Sequence, residues 1–294
     1  MTKRLRKTLL RDGKAPFKEA PVAVLQTHVA GELMTTDAIQ HADDRNVRSA
    51  RRRRLQRQLP NTDIFAIGDV HGCLELQKKL EQLILEESND VSRNKLILYL
   101  GDLVDRGPDS KGVIDHCLSP LPEGCERLSL CGNHDQLFFE FLLAPSLSAA
   151  WLDFGGQETL MSYGVDINQL IAGRANDEDL ALALSEAIPG EHVRFLEALP
   201  VALTVPEAYF VHAGMRIGVP MEDQEDHDLM WIREDFLVDE AASDRLVVHG
   251  HSPAPTPRMG PGRIGIDTKA VGGGPLTALH LNGETTRFFS VAAE

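Results

Sequence analysis

Apolar and polar positions along the chain set up the same event three times before residue 140. Thr62 to Ile67, Lys95 to Leu100 and Arg127 to Cys131 are short apolar-rich runs, each stopped by a glycine that is followed at once by Asp or Asn. Such runs, bounded by glycine, predict strands. Between the first two, Leu76, Leu80, Leu83 and Ile84 recur at helical spacing and predict an amphipathic helix over Leu74 to Glu86. A second helix is expected over Lys111 to Cys117, with Ser110 as its cap. A third is expected over Gln136 to Leu143, with Phe138, Phe139 and Phe141 in the core. Trp151 to Leu199 reads as mostly helical, broken at Gly155-Gly156, Tyr163-Gly164 and Pro189-Gly190. After Pro200 strands return at Ala208–Val211 and Leu246–Val248. Arg263–Asp267, Leu276–Leu281 and Thr286–Val291 look like the closing strands of a meander.

Spacing turns these elements into an architecture. Asp69 lies 33 residues before Asp102, which lies 31 before Asn133, and about 30 residues is the length of a strand, a crossover helix and a parallel strand. Three strand ends should therefore lie side by side, with the strand before Asp102 adjacent to the others. In open α/β sheets the groups just past the carboxyl ends of such strands form the binding crevice.

Composition narrows the setting. With 294 residues, 43% of them apolar, the chain can bury a sizeable core. It has no run of 18 or more uncharged apolar residues, so no membrane-spanning helix is expected. Cys73, Cys117, Cys125 and Cys131 show no CxxC spacing, which points to buried filler in a reducing, cytoplasmic setting. The net charge of -14 is lopsided: residues 1–60 hold 14 Lys+Arg against 6 Asp+Glu, so +8, and the remainder 16 against 38, so -22. Residues 1–60 are thus expected to form a basic, disordered extension, with a possible short helix near Ala50 to Leu59, ahead of one catalytic domain over 61–294. The run Arg51–Arg54 suits an acidic partner, nucleic acid or an anionic surface, or the acidic body of the chain itself.

The candidate chemistry sits at the strand ends. Asp69 and His71 follow the first strand; Asp102, Asp105 and Arg106 the second; Asn133, His134 and Asp135 the third; His212 and His251 follow two of the later ones. One Asp or His at a strand end often only caps a turn, but five such endings, each with glycine beside the polar group, point to a shared site. Mixed oxygen and imidazole donors suit Mn, Fe or Zn better than soft ions.

These motifs, GDVHG at 68–72, GDLVDRG at 101–107, GNHD at 132–135, HAG at 212–214 and GH at 250–251, resemble those of the metallophosphoesterases, and among them the serine/threonine phosphoprotein phosphatases. WLDFGGQETLMSYG, WIREDF and GIDT are similar to stretches of the small bacterial members. The resemblance implies an α/β (α+β) four-layer fold, two facing mixed β-sheets flanked by helices, with a binuclear metal site at the strand ends and a helical insertion at about 145–199. It also implies two divalent ions, Mn²⁺ foremost with Fe or Zn possible: Asp69 and His71 on one, Asp102 bridging, and Asn133, His212 and His251 on the other. His134 would protonate the leaving oxygen and Asp105 would orient its ring, while Arg106 and Arg233, with Asn133, would bind the phosphate. Arg233 has a plainer reading as a helix residue paired with Glu234 or Asp235.

The activity so implied is hydrolysis of phosphoserine and phosphothreonine in a phosphoprotein or phosphopeptide, by direct attack of water activated between the ions. Two other readings remain open. Asp135, where protein phosphatases carry Glu, resembles nucleotide-directed relatives and favours a symmetrical dinucleoside polyphosphate hydrolase or a small-molecule phosphatase. Against that, Asp105 stands where those hydrolases usually lack the acid. From a different class comes a binding module with an inactive site, whose basic arm recruits nucleic acid or membrane, which the complete ligand set argues against. Lys269, where bacterial relatives often have glycine, is left without a role.

Overall fold

The computed structural model describes residues 51–87, 93–146, 148–173, 175–283 and 286–293. Two sheets carry the fold. The first is built of β2 (Thr62–Ile67), β3 (Asn94–Tyr99), β4 (Cys125–Ser129), β10 (Leu276–Leu281) and β11 (Thr286–Val291), in the order β11-β10-β2-β3-β4. β2, β3 and β4 run parallel, as their 30-residue spacing predicts, and β3 lies between the other two. The second contains β1 (Arg54–Gln56), β5 (Ala202–Thr204), β6 (Ala208–Val211), β7 (Leu246–His249), β8 (Arg258–Gly260) and β9 (Arg263–Gly265), in the order β1-β5-β6-β7-β9-β8.

Strand geometry explains why the β2 and β3 sequences are almost continuously apolar. Successive side chains point to opposite faces, and here both faces are covered. Ile64 and Ala66 of β2, and Leu96 and Leu98 of β3, meet Leu203, Phe210, Val248 and Ile264 of the second sheet in one core. Their neighbours Phe65, Ile67, Ile97 and Tyr99 turn outward into a second core with Leu76, Leu80 and Ile84 of α1 (Leu74–Glu86) and Val113 and Ile114 of α2 (Ser110–Leu118). Each of the leucine, isoleucine, valine and phenylalanine side chains among them contributes about 1.5–3 kcal/mol through burial. Helix, sheet, sheet and helix form the four layers.

Several boundaries differ from the sequence reading. α2 is capped by Asp109, which accepts the Gly112 N–H at 2.8 Å, rather than by Ser110. The three C-terminal strands do not form one meander: β9 pairs in parallel with β7 in the second sheet, while β10 and β11 complete the first. A meander requires sequential pairing, and the loop after β9 crosses between sheets instead. Most of the expected extension, residues 1–50, lies outside the described residues. Residues 51–60 are part of the fold, and no helix forms there. β1 pairs in parallel with β5, because each arginine of the 51–54 run finds an acceptor on the body. Arg51 donates to Gln224 O at 2.6 Å, Arg52 to Leu196 O at 3.0 Å and Leu199 O at 2.9 Å, Arg53 to Ala198 O at 3.0 Å, and Arg54 to Asp226 at 2.6 Å. Arg52 is buried, and its side chain requires those acceptors.

The segment after β4 is helical, as expected: α3 (Asn133–Leu143), a 3₁₀ turn at Ala149–Phe154, α4 (Gly156–Ser162), α5 (Ile167–Ala172), α6 (Asp177–Ala187) and α7 (Gly190–Ala198). α3 starts three residues earlier than its apolar period suggests, so Asn133 and His134 lie in its first turn. Two short helices, α8 (Asp226–Trp231) and α9 (Glu234–Leu237), precede β7. Phe138 and Phe141 pack on Trp151 in the core, ring centroids 5.1 and 4.7 Å away.

A buried polar node ties the outer helices to the first sheet. Glu81 of α1 pairs with Arg127 of β4, accepts from Tyr99 of β3 at 2.8 Å and lies 3.1 Å from His116 of α2. Burial alone would raise the Glu81 carboxyl; hydrogen bonds from His116 and Arg127 outweigh it and hold the group at about 2. Its folded value thus lies below the unfolded one, so its stabilisation is complete above about pH 4.3 and is lost as pH falls towards 2. Glu81→Gln, which leaves Arg127 without its carboxylate, should cost about 3 kcal/mol at pH 7. Chemical denaturation of both chains from pH 7 to pH 3 should show that difference shrinking on acidification.

Candidate metal centre

The turns after β2, β3, β4, β6 and β7 bring their polar residues to one edge of the two sheets. A cavity of about 250 Å³ there is lined by Asp69, His71, Asp102, Arg106, His134, Arg233 and His251, together with Asp267 and Lys269, and His212 and Asn133 are buried beside it. The local backbone is unusual. Of the seven non-glycine residues with positive φ among the described residues, six are His71, Asp102, Asp105, Arg106, His251 and Lys269, at or beside this cavity. Non-glycine residues visit that region at a cost of about 1–3 kcal/mol each, and they persist where surrounding bonds over-determine them. Here Val70 and His71 donate their N–H groups to Asp102 O at 3.1 and 2.9 Å.

Glycine makes the close approaches possible at two places. A Cβ on Gly132 would lie 2.2 Å from Asp102 Oδ1, and one on Gly250 would lie 2.1 Å from Asp69 Oδ1. Either substitution would drive a carboxylate out of the site, which is the physical reason for the glycines in GNH and GH.

Asp102 stands at the middle. Its carboxylate belongs to two groups whose donor atoms all lie within 4.8 Å of one another, His71–Asp102–His134 and Asp102–His212–His251. His212 places Nδ1 against Leu100 O at 3.0 Å, which leaves Nε2 as a lone pair when Nδ1 carries the proton. That Nε2 meets Asn133 Oδ1 at 3.0 Å, His251 Nδ1 at 3.2 Å and Asp102 Oδ1 at 3.4 Å. Four acceptor-type atoms converging on one point cannot be satisfied by one shared proton; a cation between them satisfies all four. His71 has Nδ1 on Val104 O at 2.8 Å and Nε2 turned to the cavity, 3.5 Å from Asp102, where the Arg106 guanidinium donates to it in the place an ion would take. The donor set therefore fits two divalent ions sharing Asp102.

Among these side chains alone, a proton on His212 answers part of that crowding. Burial would raise Asp102, but His212 and then His134 outweigh it and hold the carboxyl well below the usual range. Burial opposes protonation of His212, and Asp102 overcomes it, lifting the imidazole to about 9. Burial lowers His71 to about 4 and lowers His251 further. Asp69 is raised by burial and then by Asp267, a concentration of negative charge that requires positive partners.

Beside the donor cluster, His134 Nδ1 lies 2.6 Å from Asp105 Oδ2, and its Nε2 faces the cavity. Asp105 is fully buried and accepts two further bonds from the helical segment, from Trp151 Nε1 at 2.7 Å and Thr159 Oγ1 at 2.7 Å. That segment, whose sequence suits a helical insertion or a substrate-facing cap, thus supports the site. Arg106 donates to Nε2 of His71 at 2.9 Å and of His134 at 2.7 Å, and its own N–H is held by Gly155 O at 3.1 Å. Arg233 is exposed on the rim; among the described residues it forms no ion pair with Glu234 or Asp235, the latter being 3.7 Å from Arg216. Asp135 does not face a substrate. It is fully buried and accepts the N–H groups of Leu103 and Gly132, each at 2.9 Å, so it braces the turns that carry Asp102 and Asn133.

Asp267 is the lining residue that the motifs did not mark. It sits in the GIDT stretch, 8% exposed, and that stretch was the available signal.

The sequence pattern of calcineurin-like phosphoesterases matches residues 62–269, and the chain belongs to that family. A bis(5'-nucleosyl)-tetraphosphatase PrpE [asymmetrical] of Anoxybacillus flavithermus is 26% identical over 234 residues, 72% of this chain and 88% of that protein. Serine/threonine-protein phosphatase 1 of Salmonella typhimurium is 37% identical over 94 residues, 32% of this chain and 38% of that protein. A solved chain proposed to be a diadenosine tetraphosphatase has the same fold, with a TM-score of 0.55 and 21% identity over 83% of this chain and 99% of that one. The chain is thus a phosphoesterase of a family that works with a binuclear divalent metal site.

Elemental analysis after loading with Mn²⁺ should find two ions per chain. Asp102→Asn, which weakens a ligand common to both groups, should lower the content towards none, whereas His251→Ala should remove about one ion.

Proposed function

We propose that this chain hydrolyses dinucleoside polyphosphates, cutting them asymmetrically. The observation that carries this reading is the length of the match to the PrpE tetraphosphatase, which spans most of both chains. The match to the protein phosphatase covers about a third of this chain. The preference for a protein substrate drawn from the motifs gives way on that ground.

Asp69, His71 and Asp102 would hold one ion, and Asp102, Asn133, His212 and His251 the other. When bound, two such ions draw charge from the phosphoryl oxygens and ease loss of a proton from the attacking water. Mn²⁺ fits the mixed donors, as Fe and Zn do. Arg106 and Arg233 pair with phosphate oxygens that gain charge as the bond breaks. Once Arg106 turns from the His134 ring to the phosphate, Nε2 of the protonated ring is free to give its proton to the departing oxygen, and Asp105 steadies the imidazolium through Nδ1. Trp151 and Thr159 keep the Asp105 carboxylate fixed while that charge comes and goes.

Hydrolysis of phosphoserine or phosphothreonine in proteins is the second reading, favoured by the shorter but higher identity to the Salmonella enzyme. The thiols of all four cysteines are unpaired, and no helix among the described residues is long and apolar enough to cross a membrane. We infer a reducing compartment.

Product analysis decides the main reading. With Mn²⁺ and diadenosine tetraphosphate the expected products are ATP and AMP; two ADP would mean symmetrical cleavage, and no cleavage beside rapid turnover of a phosphoserine peptide would transfer the assignment to the second reading. His134→Asn adds an internal check. A phosphate leaving group needs less protonation than a serine alkoxide, so the substitution should slow the dinucleotide about tenfold and a phosphoserine peptide by about a thousandfold.

A further inference from the structure

We propose that Lys269 is a specificity residue that binds a second phosphoryl group, beyond the one being attacked. The inference rests on the polyphosphate reading above and names the residue that would adapt the site to such substrates. Lys269 lines the same cavity as Asp69, Asp102, Arg106, His134 and Arg233. It is exposed there, and among the described residues no carboxylate lies within ion-pair distance of its ammonium. Its backbone is left-handed, φ 63 and ψ 43, a conformation free to glycine and unfavourable to any side chain. The turn is nevertheless firmly made. Asp267 Oδ1 accepts the Lys269 N–H at 3.0 Å, and Lys269 O accepts from Gly272 and Gly274, each at 2.9 Å. Nothing in that bonding uses the side chain, so packing gives no reason for a lysine where glycine would relax the backbone.

Charge supplies a reason. Among the side chains that line the cavity, Asp69, Asp102 and Asp267 cancel Arg106, Arg233 and Lys269, so the charge of two divalent ions remains for the substrate. A phosphomonoester brings about two negative charges, and leaves a surplus. A chain of four linked phosphates brings one per phosphate and matches it. Without Lys269 the match fails by one charge. An ammonium is a compact charge with rotatable donors, suited to a flexible phosphate chain rather than to one fixed pair of oxygens.

The test uses anions that cannot be hydrolysed, so it does not depend on which ester the enzyme cleaves. Calorimetric titration of the Mn²⁺-loaded full chain with methylphosphonate and with methylenediphosphonate gives affinities for one and for two phosphoryl groups. Lys269→Gly, which suits the turn, should weaken methylenediphosphonate about tenfold more than methylphosphonate, and Lys269→Arg should restore most of the difference. Equal weakening of both, or of neither, would overturn the proposal. A wild-type chain that fails to cleave diadenosine tetraphosphate but still shows the Lys269-dependent difference would sink the substrate assignment and leave this binding role standing.

Discussion

The structure depends on holding one carboxylate, that of Asp102, where two clusters of lone pairs can both reach it. Everything nearby works against this. The carboxylate is buried, its residue has φ 51, and the flanking Gly132 leaves it no spare room. An ionised group is stable in such surroundings only when opposite charge is close. His212, lifted to about 9 beside it, supplies part of that here, and the converging donor atoms of His212, Asn133 and His251 suit a cation for the rest.

The sandwich explains how such a site survives. β3 is flanked by β2 and β4 and buried on both faces, so the turn that ends in Asp102 is anchored by two apolar cores. Backbone bonds from Val70 and His71 reach across to Asp102, and Asp135 pins the next turn from below. The helical segment adds the last support through Trp151, Thr159 and Gly155, each bonded to the DR pair of Asp105 and Arg106. Rigidity made by packing is thus passed, bond by bond, to groups that must stay put while a phosphoryl group carries changing charge between them.

The sequence made the first sheet readable because glycine-stopped strands recur at one spacing, and that spacing admits little but parallel neighbours. The meeting of His71, Asp102 and His134 was readable for the same reason, while His212 and His251 were legible only as polar residues beside glycine at later strand ends and through resemblance to a family. What escaped depends on contacts between distant residues. Arg52 looks solvated in a run of arginines, yet its guanidinium is buried against carbonyls some 145 positions away. Trp151 and Thr159 look like helix packing until Asp105 is placed beside them. Asp267 lies in the GIDT stretch, which carried no assigned role, and only the crossing of the chain between sheets brings it to Asp69. Asp135 points to nucleotide-directed relatives by its type alone, and the structure gives its side chain a bracing task, accepting backbone amides of the turns that carry Asp102 and Asn133.

The shared role of Asp102 can be tested most directly by electron paramagnetic resonance of the Mn²⁺-saturated protein. The account predicts the spectrum of an exchange-coupled pair, replaced in Asp102→Asn by the signal of isolated ions or by none. Isolated, magnetically independent Mn²⁺ in the saturated wild-type protein would show that the two clusters do not share a ligand, and would contradict the central claim.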